Sequence, residues 1–432
     1  MKNSRRSAFG GAVAAVALAL TGCGVAGGGD QDSDAGAAEG DVAGEITFQT
    51  WNLKGGYEDY FTQLIADFEE QYPDATVNWR DQPAEGYEDK LSADAAAGSL
   101  PDVVDMGPEA AYTLASAGKL TNVAEAVPDA EGDYLPEAWD AVTFPGLGGG
   151  TYSFPWYLNT GPSFFNTKLL EECGLDGDNL PSDYDELFDQ AETMAENCDD
   201  VTMFGRLPEI EVFGSYGVQL MNDDETEFTF NGPEGVELVQ RFADLYESGG
   251  LTDAQVNALQ TEEVEGFMEG RVAWLPGSSY TLKQLREQAP EVYENVEIVP
   301  AIANTAPNMF LESLAVNADS ENTPTAIAFA QFVTNPDNQM SFAEAASVFP
   351  STQGSLDDPY FTEDDGSDEA RVRVQAAKQV EEAKVWVPPT FSESAATYLH
   401  EQFAQAVMGQ QSPQDALDAA VQYADDRITT SE

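Results

Sequence analysis

Hydrophobic and polar positions along this chain switch repeatedly between two periods. Residues 46–51 alternate apolar and polar, as a strand with one buried face does. Tyr57, Tyr60, Phe61, Leu64, Ile65, Phe68 and Tyr72 then recur at helical spacing, and Pro73 stops the run. A second strand is predicted over 76–80, then a helix over 86–97 with Tyr87 and Leu91 inward. A short buried strand follows over 101–106, then a helix over 108–117 that Gly118 ends. Strands alternating with helices in this way predict a parallel sheet covered on both faces.

The middle of the chain repeats the style less cleanly. Residues 152–158 read as extended and aromatic, and 167–173 and 182–196 as helices. The second of these opens on Ser182-x-x-Asp185, close to a capping box. Residues 233–246 carry Val236, Val239, Phe242 and Leu245 on one face. Short strands are predicted at 272–275 and 314–316, and helices at 324–333 and 336–346. The C-terminal part reads as helical over 370–384, over 392–408 with Gly409 as cap, and over 413–428.

Composition narrows the function. With 42% hydrophobic and 10% aromatic residues, the 432-residue chain can bury a core, and its length suits two or three domains. Asp and Glu number 78 against 18 Lys and Arg, a formal net charge of -60 that repels phosphate backbones and excludes nucleic-acid binding. The acids are spread over helix faces and not gathered in a tail, which resembles proteins of salt-loving organisms. The single histidine, His400, removes His-based triads and His-rich zinc sites.

The N-terminus carries a basic start (Lys2, Arg5, Arg6) and an apolar run over 8–20, too short to span a bilayer. Leu20-Thr21-Gly22-Cys23 then resembles a bacterial lipobox. That resemblance implies a signal peptide over 1–22, cleavage before Cys23, and a lipid anchor on Cys23 holding the protein at the extracytoplasmic membrane surface. Residues 23–44 read as a flexible, acidic, Gly-rich tether. Asp30-x-Asp32-x-Asp34 within it departs from a calcium loop, because the turn glycine is displaced to Gly36 and no closing Glu follows. Neither a metal nor a cofactor is expected. Cys173 and Cys198 remain, and an oxidising compartment with an even count favours a disulfide between them over two buried thiols.

A set of short segments, in order over almost the whole mature chain, resembles the carbohydrate-type extracellular solute-binding proteins of bacterial ABC importers. They include Leu100-Pro101-Asp102-Val103-Val104, Ala115-Ser116-Ala117-Gly118-Lys119-Leu120 and Tyr152-Ser153-Phe154-Pro155-Trp156-Tyr157. Further along come Phe164-Phe165-Asn166-Thr167-Lys168-Leu169-Leu170, Phe267-Met268-Glu269-Gly270-Arg271-Val272-Ala273, Glu312-Ser313-Leu314-Ala315-Val316 and Val348-Phe349-Pro350-Ser351-Thr352. The resemblance implies an α/β fold of two lobes, periplasmic-binding-protein-like, each a sheet flanked by helices, with hinge strands between. The N-terminal lobe would hold 45–151 and 314–356, and the C-terminal lobe 161–307, with the helices of 357–432 packed on the latter. Hinges would lie at 152–160 and 308–313. It further implies a monomer that closes on a carbohydrate and presents it to the permease subunits, with no catalysis.

Sugar recognition calls for flat aromatics against ring C–H faces and for carboxylates or amides on hydroxyls. Such groups are expected at strand ends and hinges. The candidates are Trp51, Asn52 and Lys54 after the first strand, Asp105 ending the third, Trp156 and Tyr157 on the first hinge, and Phe310 and Glu312 on the second. Tyr280, placed where sugar-binding relatives carry a stacking aromatic, and Tyr216, in a glycine-flanked loop, complete the set. Trp274 is read as core. Glu88 and Glu109, near family contact positions, are read as solvated surface in so acidic a chain. Two alternatives stand beside the sugar receptor: the same fold binding a cationic solute such as a polyamine or metal, and an extracytoplasmic glycoside hydrolase.

Overall fold

The computed structural model describes residues 40–258 and 260–428. The expected signal peptide, the expected lipid-bearing Cys23 and the expected tether up to residue 39 lie outside the described residues. The strands, in chain order, are β1 Gly44–Trp51, β2 Ala75–Gln82, β3 Val103–Met106, β4 Thr143–Phe144, β5 Gly150–Thr151 and β6 Ser153–Asn159. Then come β7 Ser163–Asn166, β8 Trp274–Pro276, β9 Val296–Val299, β10 Phe310–Val316 and β11 Phe349–Pro350. Among the described residues no helix is long and apolar enough to cross a membrane.

The first lobe is built on a six-stranded sheet of order β11-β6-β10-β3-β1-β2. β1 runs parallel to β2 and β3, as the strand–helix rhythm requires. β10 runs antiparallel to both β3 and β6, so the sheet is mixed and the expectation of a wholly parallel sheet is corrected. The antiparallel half consists of the strands that leave for the second lobe and return from it. Period-two alternation sorts the side chains. Ile46, Phe48, Leu314 and Val316 face one side, against Phe61 and Phe68 of helix Lys54–Gln71 and Phe329 of helix Thr323–Val333. Val104, Met106 and Ala315 face the other, against Tyr87 and Leu91 of helix Tyr87–Ala97 and Leu114 of helix Pro108–Ser116. Each such large side chain contributes about 1.5–3 kcal/mol by leaving water.

The second lobe has a three-stranded sheet with β7 between β8 and β9, antiparallel to each. Its core joins Phe165, Phe188, Phe213 and Phe242 to Leu399 and Phe403 of helix Glu393–Val407 and Leu417 of helix Pro413–Ile428. Cys173 and Cys198 are bonded to one another and close this lobe's first two helices at their C-terminal ends.

Three segments cross side by side between the lobes. The chain leaves the first sheet after Asn159 and enters β7 at Ser163. It returns between Val299 and Phe310. Near Lys384 it passes again: Met309 N–H donates to the Lys384 carbonyl (2.8 Å) and Lys384 N–H to the Pro307 carbonyl (2.9 Å). Thr160 Oγ1 donates to the Asn308 carbonyl (2.8 Å) and ties the first two crossings together. Helix Asp368–Val380 sits against this junction and divides its contacts. Ala376 and Val380 pack with Leu158, Leu311 and Phe349, whereas Val372 packs with Phe164 and Leu275. Helices Glu393–Val407 and Pro413–Ile428 pack on the second lobe's core alone.

Candidate functional site

The turn after β1 is set by Asp81 on β2. Its carboxylate accepts from Thr50 Oγ1 (2.7 Å) and from the backbone N–H groups of Leu53 and Lys54 (3.1 Å each), capping the helix that starts at Lys54. Asn52 takes the left-handed conformation of this turn, φ 53°, which asparagine tolerates better than most residues. Lys54 turns away from the cleft: its amine lies 4.9 Å from the Trp79 ring centroid and 3.7 Å from Glu58.

Beyond this turn a cavity of about 370 Å³ opens between the lobes. Trp51, Tyr87, Glu88, Gly107 and Glu312 line it from the first lobe, and Glu393, at the start of its helix, from the second. The Trp51 and Tyr87 rings meet with centroids 6.2 Å apart at 35°. Tyr87 donates its hydroxyl to the Asp105 carbonyl at 2.7 Å. Asp105 itself is 0% exposed. Neither of its carboxylate oxygens, nor Glu312 Oε2, has a hydrogen-bond partner among the described residues. Burial pushes the Asp105 carboxyl well above the usual range, and the neighbouring Glu312 pushes it further. Glu312 is likewise raised by burial, against the pull of Asp105 and of the Trp51 side chain. Two carboxyl groups this close in a dry place share a proton more readily than they both ionise. Tyr157, half-buried, has its hydroxyl pKa raised by burial and by these same two acids.

Acids also face one another across the cleft. Burial pushes Glu109, in the first turn of helix Pro108–Ser116, up to about 7, with Glu88 and Glu393 adding to the shift. Glu88 is raised by burial, then by Asp89 and Glu393. The first lobe's Glu88 and Glu109 therefore feel the charge of Glu393 on the second lobe.

Toward the hinge, a hollow of about 320 Å³ is lined by Phe310, Tyr184, Arg206, Glu211, Ser215 and Trp274, among others. Arg206 donates to Glu263 (3.1 Å) and to Glu209 (2.6 Å), so its charge is taken up by the second lobe's own acids. Burial, then Glu209, pushes Glu211 up to about 7. Tyr280 lies at a further hollow of about 270 Å³ with Asn159, Tyr360 and Arg373. Phe310 and Tyr280 are 58% and 71% exposed, the exposed large hydrophobic side chains among the described residues.

The structure thus gathers Trp51, Asp105, Tyr157 and Glu312 at one place, and sets Phe310 and Tyr280 out at the hinge. It does not bring the other candidates there. Trp156 is 0% exposed, stacked on Phe342 with centroids 5.1 Å apart and edge-on to Phe61. It shares the core-facing side of β6 with Phe154, two residues earlier, and a bulge there (Glu312 pairs with Tyr157 but Ser313 with Pro155) brings Tyr157 to the same side. Tyr216 is 7% exposed and packs on Tyr184 and Phe188. Its segment is not a loop but helix Ile210–Tyr216, in which Gly214 lets the Trp386 ring approach; a Cβ there would stand 2.4 Å from it. Asn52 serves the turn and Lys54 the Trp79 ring. Trp274 is core, its Nε1 donating to Ser163 Oγ at 3.0 Å. Sequence reading passed over Tyr87, taken only as an inward residue, and Glu393, Arg206 and Glu211. Arg206 carries one weak signal, the scarcity of bases in this chain.

The description of the bacterial extracellular solute-binding protein family matches residues 54–340. A Brucella abortus protein provisionally named as a binding protein is 24% identical over 321 residues, covering 71% of this chain and 76% of the relative. The diacetylchitobiose-binding protein DasA of Streptomyces coelicolor is 26% identical over 268 residues, 62% of this chain and 56% of the relative. Among solved structures, one provisionally described as an oligosaccharide periplasmic-binding protein from Synechococcus sp. MITs9220 superposes with a TM-score of 0.79 at 28% identity, over 89% of this chain and 99% of that one. The sugar-binding protein MalE of Xanthomonas citri shares the fold, with a TM-score of 0.72 at 20% identity over 90% of this chain and 98% of that one. Matched by the family description over most of its length, and sharing a two-lobe fold with these receptors, the chain belongs to the bacterial extracellular solute-binding proteins.

Proposed function

We propose that this protein is the extracytoplasmic receptor of an ABC sugar importer. It captures a mono- or oligosaccharide between its lobes and hands it to the permease. The observation that carries the reading is the cavity walled by Trp51, Tyr87 and Glu312 from one lobe and by Glu393 from the other, beside three chain crossings that can act as a hinge. A solute touching both walls gains all its contacts only when the lobes approach, so it shifts the open–closed equilibrium by its preference for the closed form. The oligosaccharide-binding relatives support the choice of solute class. Anchoring through an acylated Cys23 and delivery as a monomer belong to the same proposal.

Binding without turnover fits the paired carboxyls as well. A glycosidase sets its two acids about 5–9.5 Å apart, one on each side of the scissile bond. Asp105, 0% exposed and pressed against Glu312, cannot flank a substrate in this way. The test is calorimetry in molar salt against a panel of saccharides, with X-ray scattering in parallel. Binding without product, together with a smaller radius of gyration, supports the reading. Saccharide cleavage, or a panel in which nothing binds and nothing closes, rejects it.

A further inference from the structure

Four of the residues lining the inter-lobe cavity are acids, Glu88, Asp89, Glu312 and Glu393, and none among the described lining residues is Lys or Arg. Composition alone accounts for exposed carboxylates in this chain, since 78 of them must go somewhere. It does not account for buried ones. Glu312 lines the cavity with Oε2 enclosed, and Asp105 stands behind it, 0% exposed; what joins these two carboxyl groups is a proton held between them, with no Lys or Arg beside either. An enclosed carboxylate without a donor is unfavourable until a proton or a cation reaches it.

We infer that this cleft takes a saccharide carrying a protonated amine, with the ammonium on Glu312, Asp105 behind it, and the sugar ring against Trp51 and Tyr87. The inference rests on the sugar-receptor reading and names the solute class within it. A neutral sugar supplies hydroxyl donors but leaves the charge of the lining acids uncompensated. A bare metal ion is disfavoured, because among the described residues no group of three His, Cys, Asp or Glu side chains is placed to hold one. A flexible polyamine would use the acids but not the Trp51 and Tyr87 rings among the lining residues, which offer apolar surface to the C–H face of a pyranose. The proton shared by Asp105 and Glu312 has a defined fate: as the ammonium docks, that proton leaves the carboxyl pair for the buffer, and no bond other than its O–H is broken.

The test is calorimetry on the mature chain in molar NaCl, where enclosed charges remain less screened than exposed ones. Fully deacetylated chitobiose is compared with its N-acetylated form, with maltose and with spermidine, in two buffers of different ionisation enthalpy. The expected result is about 10-fold tighter binding of the amine form than of the N-acetylated one, with proton release for the amine alone. Glu312→Gln should erase that preference. Glu393→Gln, an exposed position whose change leaves the core intact, should lower it. Equal affinity for amine and N-acetyl forms overturns the inference and leaves the receptor reading standing, as does tight neutral-sugar binding without proton release. Binding of spermidine alone, or of nothing in the panel, overturns both.

Discussion

Asp105 and Glu312 bring two carboxyl groups together inside the first lobe, from the neighbouring antiparallel strands β3 and β10. Both are raised by burial, so the folded protein holds a proton there that the unfolded chain gives up above the ordinary carboxylate value of about 4. Stability from this pair is therefore fully present below that value and is lost as pH rises toward the folded-state range. Asp105→Asn removes one charge and gives Glu312 a donor. It should stabilise the protein at about pH 8 by roughly 1–3 kcal/mol, and by less at about pH 5. Thermal melts across pH in constant molar salt read this directly, and an unchanged pH slope in the variant contradicts it.

Aromatic candidates should separate into two behaviours. Trp156, fully enclosed between Phe342 and Phe61, should cost about 3–5 kcal/mol of stability on replacement by alanine. Phe310→Ala and Tyr280→Ala, both at exposed positions, should leave stability within about 0.5 kcal/mol. On the receptor reading the saccharide lies in the cavity lined by Trp51 and Tyr87 and not in the hollows that hold these two rings, so both variants should keep saccharide affinity within about 3-fold. Denaturant titration and calorimetry on the three variants check both halves.

Glu88 and Glu109 repel Glu393 across the cleft, which opposes closure of the empty protein. Glu109, raised to about 7, gains its proton as pH falls through neutrality and relieves part of that repulsion. Scattering from the unliganded protein should show a smaller radius of gyration at about pH 6 than at about pH 8. Glu393→Gln should be more compact than the parent at the higher pH and respond less to the change. A radius independent of pH in both proteins refutes the idea.

A net charge of -60 sets a global demand on the medium. Surface carboxylates repel one another over about 10 Å at 0.1 M salt and about 3 Å at 1 M. The melting temperature should rise between dilute buffer and molar NaCl, and a flat response would remove salt adaptation as the reason for the composition.

The Cys173–Cys198 bond closes a loop of 25 residues around the second lobe's first helices. In the chain-entropy account, opening such a loop costs about 3 kcal/mol. A Cys173→Ser, Cys198→Ser double variant should lose that much in guanidinium unfolding, while adding a reductant to it should change nothing further.

Local pattern carried much of this protein. Helix spacing of Phe61, Leu64 and Phe68, the alternation of 46–51, and stops such as Gly118 and Gly409 follow from side-chain sterics and short-range burial, and the chain obeys them. The two-lobe fold with strands passing between the lobes was also legible, through ordered motifs. Tertiary structure decided the rest. A single bulge on β6 brought Tyr157 to the same side as the buried Trp156 and beside the acids, an event that pairing across strands creates and no one-strand pattern shows. Helix Asp368–Val380 split its contacts between both sides of the hinge, because its single i, i+4 stripe of Val372, Ala376 and Val380 meets the second lobe at one end and the first lobe at the other. Carboxylates looked alike along the sequence; what distinguished Asp105 and Glu312 from the other acids was the loss of water around them, and only the packed fold determines where water is excluded.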